Sequence, residues 1–220
     1  MDRAETNPIS RPATGASFCL QRWGDRIRPM SDFFCQQSLR CHPATPAPAV
    51  SSLDVSIGFI SDDRIAIRYC LRGDIARLRV PEPFLQAVQR TDMLWEHTCF
   101  EAFIGLQDEA GYREFNFSPS GQWAAYDFVS YRLRAENDPA LSAPQITSHQ
   151  TAGRLELEAV LPRTALPANL HAKHWQAGLT AVIEAADTVD AAHSYWALHH
   201  PASRPDFHHR DGHVLLIPAC

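Results

Sequence analysis

An antiparallel all-β sandwich or jelly roll is the fold this sequence predicts, and three observations predict it. Apolar side chains recur at every second residue through Leu53, Val55, Ile57 and Phe59, and again through Ile65, Ile67, Tyr69 and Leu71, the spacing of half-buried strands. About ten such short runs follow one another, separated by Asp, Asn, Gly, Pro and Ser clusters that favour turns. No segment between them is long and helical enough for the crossovers that a parallel sheet requires, so a doubly wound α/β fold is disfavoured, with a closed barrel the alternative way to join the strands.

Residues 1–38 mix Pro, Ser, Thr and Arg with few periodic apolar positions and read as a disordered or poorly ordered extension. Met30 is an alternative start, and a single domain is expected over 39–220. The proline-rich run at 41–48 leads in extended form into the first hairpin, whose turn is Ser61-Asp62-Asp63. A third run, Ala76, Leu78 and Val80, ends at Pro81-Glu82-Pro83, which cannot continue a ladder. Residues 84–91 suit one or two helical turns. One long strand is then expected over 93–106, two more over 112–118 and 122–131, a loop over 135–148, and strands over 155–161, 175–185, 194–199 and 213–217.

Composition narrows the function classes. At 220 residues the chain buries a core without staples. Its six cysteines, Cys19, Cys35, Cys41, Cys70, Cys99 and Cys220, form no Cys-x-x-Cys pair, against a zinc ribbon or thioredoxin-type motif; Cys70 and Cys99 lie in apolar runs and read as buried thiols. No signal-like or membrane-spanning apolar run is present, which with unpaired cysteines leads us to expect a cytoplasmic protein without a membrane partner. A net charge of −5 without a basic stripe argues against nucleic acid.

The richest stretch is 94–131. Strand parity places Trp95, His97, Cys99, Glu101 and Phe103 on one face and Phe100, Ala102 and Ile104 on the other. In the next strand Phe115 and Phe117 oppose Tyr112, Glu114, Asn116 and Ser118. Phe100, Ala102, Ile104, Phe115 and Phe117 should therefore be core, whereas Glu101 and Asn116 share a polar face if the strands are neighbours. Such a face suits sugars, whose C–H surface stacks on indole while hydroxyls take carboxylate, amide or guanidinium partners. The candidates are Trp95, Glu101, Arg113, Asn116, Trp123 and Trp196; the alternative is that the tryptophans fill the core and Glu101 pairs with Arg113.

The runs LWEHTCFEAF (94–103), YREFNFSPSG (112–121) and SYWALHHP (194–201) resemble a bacterial DOMON-like family over about 39–217, and more remotely family 9 carbohydrate-binding modules. The resemblance implies a β-sandwich that binds sugar or haem at one face. It matches Trp95 and Glu101 to a sugar-stacking and a hydroxyl-binding position, and Trp196 to a second stacking aromatic. A UDP-N-acetylmuramate dehydrogenase label attached to parts of that branch has no support here, because the chain lacks a Gly-x-Gly-x-x-Gly run and the length for flavin and substrate domains.

Five of eleven histidines fall in 199–213. His199, Asp206 and His208 are the candidate ligands of a divalent metal in an alternative reading as a metal-dependent hydrolase or lyase; an ordinary polar loop is the other reading of the segment. A haem-binding alternative, implied by the DOMON resemblance, would use Met93 and a histidine as axial ligands. The leading expectation is a non-catalytic small-ligand module, with Trp95 and Trp196 stacking on a saccharide, Glu101, Arg113 and Asn116 meeting its polar groups, and His199 or His208 at the rim. A module that docks another protein is the third possibility.

Overall fold

The computed structural model describes residues 35–83, 89–168, 174–186 and 192–218. Among them are twelve strands: β1 (Cys35–Cys41), β2 (Val50–Ser61), β3 (Arg64–Gly73), β4 (Cys99–Leu106), β5 (Tyr112–Phe117), β6 (Trp123–Ser130), β7 (Leu133–Arg134), β8 (Gln145–Thr151), β9 (Arg154–Pro162), β10 (Trp175–Glu184), β11 (His193–Ala197) and β12 (Leu215–Ile217). They run in the order β7-β6-β5-β4-β10-β11-β1-β2-β3-β9-β8, with β12 also paired to β10. Every pairing between these strands is antiparallel. β1 is the seam: residues 35–39 pair with β2, whereas Arg40 and Cys41 pair with β11.

On either side of that seam the ribbon forms two layers whose apolar faces meet. Ile57, Ile67, Tyr69, Leu71 and Leu157 from one layer share a core with Phe100, Ile104, Phe115, Phe117, Leu179 and Trp196 from the other. The five residues expected to be core in β4 and β5 are all fully buried. Tyr69 ties the layers together, its ring 4.9 Å from that of Phe100 and its hydroxyl donating to the carbonyl oxygen of Glu101 at 2.6 Å. The β2–β3 turn falls at Asp62 and Asp63, as expected.

Several local expectations change. β1 begins at Cys35, inside the stretch assigned by composition to an extension, and β8 takes the last four residues of the expected 135–148 loop and continues to Thr151. Both are polar strands with one large apolar anchor, Leu39 or Ile146, so neither displays a period of two. The run at 76–80 is a 3-10 turn over Ile75–Arg77 followed by one bridge, Leu78 to Ala185, because prolines beyond it have no N–H to extend the ladder. The expected strand over 93–106 starts only at Cys99; Met93 takes a left-handed conformation (φ 63°) and Leu94–Glu96 forms a 3-10 turn. Cys99 is buried as expected, but Cys70 is only half-buried. The expected helical turn at 84–91 and the extension up to residue 34 fall largely or wholly outside the described residues.

Candidate functional site

The face of β4, β5, β6, β10 and β11 that points away from the core carries a cavity of about 360 Å³. Register decides its floor. Glu101 stands opposite Asn116 and Thr180, Phe103 opposite Glu114, Glu114 opposite Tyr126, and Val182 opposite Tyr195. Directly paired residues share a face, so Glu101, Phe103, Glu114, Tyr126, Val182 and Tyr195 all look into the same space. The β5–β6 turn holds this register: Gly121 adopts φ 89°, its N–H donates to Ser118 O at 2.9 Å, and Ser118 N–H donates to Gln122 O at 2.9 Å.

Three further pieces wall the floor. The 3-10 turn after Met93 presents Trp95, 38% exposed, edge-on to Tyr126 with ring centroids 5.8 Å apart. The β6–β7 hairpin supplies Arg132 and Arg134, the latter lying over the Tyr126 ring at 4.1 Å. The C-terminal loop supplies Pro205, Phe207 and His208. Asp206 fastens that loop to the hairpin, accepting from Tyr131 Oη at 2.6 Å and from Arg132 Nη2 at 2.9 Å. Arg132 is at φ 54°, a strained setting for a residue that carries a Cβ.

At the bottom lie two carboxyls. Glu101 is 2% exposed and Glu114 6%, and each has neutral neighbours: Thr180 Oγ1 donates to Glu101 Oε2 at 3.2 Å, and Asn116 Nδ2 donates to Glu114 Oε1 at 2.6 Å. Burial first, and then the like charge of Glu114, push the Glu101 carboxyl well above the usual range. Burial lifts Glu114 to about 7, partly opposed by the Asn116 hydrogen bond. His208 Nε2 faces Glu114 Oε2 from 3.8 Å, but desolvation drops the imidazole to about 4, so it is neutral near pH 7. Arg132 N–H donates to Tyr112 Oη at 3.2 Å, leaving the phenol proton for His208 Nδ1 at 2.9 Å and the imidazole N–H for Nε2.

Of the residues expected at the site, Trp95, Glu101 and His208 converge on the cavity. Trp196 does not: one residue out of phase with Tyr195, it is 6% exposed in the core with its indole N–H donating to Ser194 Oγ at 3.1 Å. Trp123 is core as well. Arg113 is on the opposite parity from Glu101's partner Asn116 and is held by Asp127 through two contacts of 2.6 and 2.8 Å, so it pairs with neither Glu101 nor the cavity. Asn116 is fully buried beneath the floor and positions Glu114 without lining the space. His199 is exposed and lines no part of the cavity.

The proposed metal set is not assembled. Among the described residues no group of three or more His, Cys, Asp or Glu is placed to hold a metal ion, and Asp206 is engaged by Tyr131 and Arg132. Met93 is 51% exposed and not among the cavity's lining residues. The stretch that drew attention to 94–131 already included Tyr126, but sequence reasoning passed over Glu114, Arg132, Arg134 and Tyr195, which also line the cavity. The alternation that excluded Phe115 from the polar face already put Glu114 on it, and one step of parity separates Tyr195 from Trp196.

No protein-family model and no curated protein matches the chain. Among solved structures it is similar to a protein from Bacteroides uniformis named as a putative carbohydrate-binding protein, with a TM-score of 0.57 at 16% identity over 81% of this chain and 84% of that one. A family 9 carbohydrate-binding module from Caldicellulosiruptor kristjanssonii in complex with glucose aligns more loosely, with a TM-score of 0.47 at 10% identity over 83% and 81% of the two chains. A module of the same family and organism with cellotriose gives 0.41 at 8% identity over 73% and 72%. At these identities the likeness is one of fold: the chain is an antiparallel β-sandwich like that of the Bacteroides protein.

Proposed function

We propose that the cavity is a non-catalytic binding site for a small saccharide. The observation that carries this reading is the pair Glu101 and Glu114 at the bottom of an open space walled by Trp95, Tyr126 and Tyr195. Aromatic walls suit the C–H face of a pyranose, and carboxyls take up its hydroxyls, each neutral hydrogen bond being worth about 0.5–1.5 kcal/mol. A volume of about 360 Å³ is at the small end of ligand pockets, which favours one or two sugar rings over a long chain. The name of the Bacteroides fold neighbour agrees with this reading.

In this arrangement Trp95 and Tyr195 contact the ring, while Glu101 and Glu114 orient it. His208 and Arg132 complete the rim. Titration calorimetry over a panel of mono- and disaccharides tests the proposal: heat of binding that Trp95→Ala removes supports it, and an unresponsive panel sinks it.

A further inference from the structure

Resting on that reading, we infer that the ligand carries an ammonium group beside its hydroxyls, as an amino sugar with a free amine does, and that this charge seats between Glu101 and Glu114. The two carboxyls extend from neighbouring strands into one cavity, yet among the described residues no lysine or arginine forms an ion pair with either. Buried charges in proteins are ordinarily paired or neutralised. Here no described residue supplies a contacting cation.

Facing the pair are Cys99 from β4, Tyr112 and Asn116 from β5, Tyr126 from β6, Thr180 from β10, Tyr195 from β11 and His208 from the C-terminal loop. None of these is a lysine or arginine, and burial drops the imidazole to about 4, so it too is neutral near pH 7. Among the described residues Arg132 and Arg134 are the cations of the rim; each favours the charged form of Glu114 through space, but their ion pairs are with Asp206 at 2.9 Å and Asp138 at 2.6 Å.

A neutral sugar leaves this pair as it is in the free protein, with burial and mutual repulsion favouring protonated carboxyls. An ammonium changes the balance. It lets both carboxylates ionise, so its binding releases protons wherever either carboxyl is protonated in the free protein, which for Glu114 is below about 7. Affinity for the charged sugar therefore rises with pH from acid toward neutrality, while affinity for a neutral sugar does not.

Calorimetry of the whole chain with glucosamine, glucose and N-acetylglucosamine at pH 5.5 and 7.0 tests this, since an α-amino-like group with a pKa of about 7.7 stays largely charged over that range. Glucosamine should bind at least tenfold tighter than the two uncharged sugars at pH 7.0. Its advantage should shrink severalfold at pH 5.5. Repeating the titration in two buffers of unlike ionisation enthalpy should reveal proton release with glucosamine alone, a readout that needs no variant. Glu101→Gln and Glu114→Gln should each erase the preference; a preference that persists in both overturns the inference. Glucose bound as tightly as glucosamine overturns the ammonium while leaving the saccharide site standing. No heat from any of the three sugars overturns both.

Discussion

Trp95 and Trp196 look alike in the sequence and have opposite roles in the fold. Trp95 stands on a 3-10 turn against Tyr126, so Trp95→Ala should cost saccharide affinity at least tenfold in calorimetry while leaving the urea midpoint nearly unchanged. Trp196 is packed in the core, and Trp196→Ala should lower stability by about 3–5 kcal/mol in urea denaturation. Glu114 behaves differently again. Its folded pKa of about 7 exceeds the unfolded value near 4.5, so its contribution is fully present in acid and is lost as pH rises through 7. His208 and His213, both lowered to about 4 by burial, act with the opposite sign and are destabilising as pH falls from 6.5 to 4. The difference between wild type and Glu114→Gln isolates the carboxyl: the variant should gain on the order of 1–3 kcal/mol relative to wild type between pH 5 and 8, since one pKa unit is worth about 1.4 kcal/mol. A constant difference across that range would contradict the assignment.

The strands show why some local structure was legible and some was not. β2, β3, β4, β5 and β9 declare themselves because each has a face buried against the opposite layer, and alternation records that burial. β1 and β8 are polar strands with a single anchor, and only their neighbours make them strands. Two element-level contacts invite measurement. Tyr69→Phe removes the buried bond from its hydroxyl to Glu101 O and leaves that carbonyl without this donor, so a loss of about 1–2 kcal/mol is expected in chemical denaturation. On β10, a Cβ at Gly178 would lie 2.5 Å from Cδ2 of the buried His213 ring, so Gly178→Val should lower stability by about 1–3 kcal/mol and reduce Tm.

At the scale of the whole molecule, the cavity depends on segments distant in the chain. Its floor comes from strands between residues 99 and 197, and its wall from a loop near residue 206 clamped to a hairpin 75 residues earlier. Releasing the clamp should separate binding from stability. Asp206→Ala removes acceptors for Tyr131 and Arg132, both exposed, and for the part-buried His208 N–H, so Tm should fall by only a few degrees while saccharide dissociation becomes severalfold faster by stopped-flow fluorescence. Unchanged dissociation would argue that the loop is no part of the site.

What the sequence determined by itself was the period of two: the all-β class, the buried faces of β4 and β5, and the placing of Glu101 on the side away from the core. Alternation is a local record of burial and needs no knowledge of the partner strand. Tertiary structure alone decided which aromatic reached the cavity, because Tyr195 and Trp196 differ by one residue of phase and only the pairing of Val182 with Tyr195 resolves it. It also decided that Arg113 belongs to Asp127 and that Glu114 stands beside Glu101. Ion pairs and cavities are made between strands, where register and the approach of distant loops set every distance.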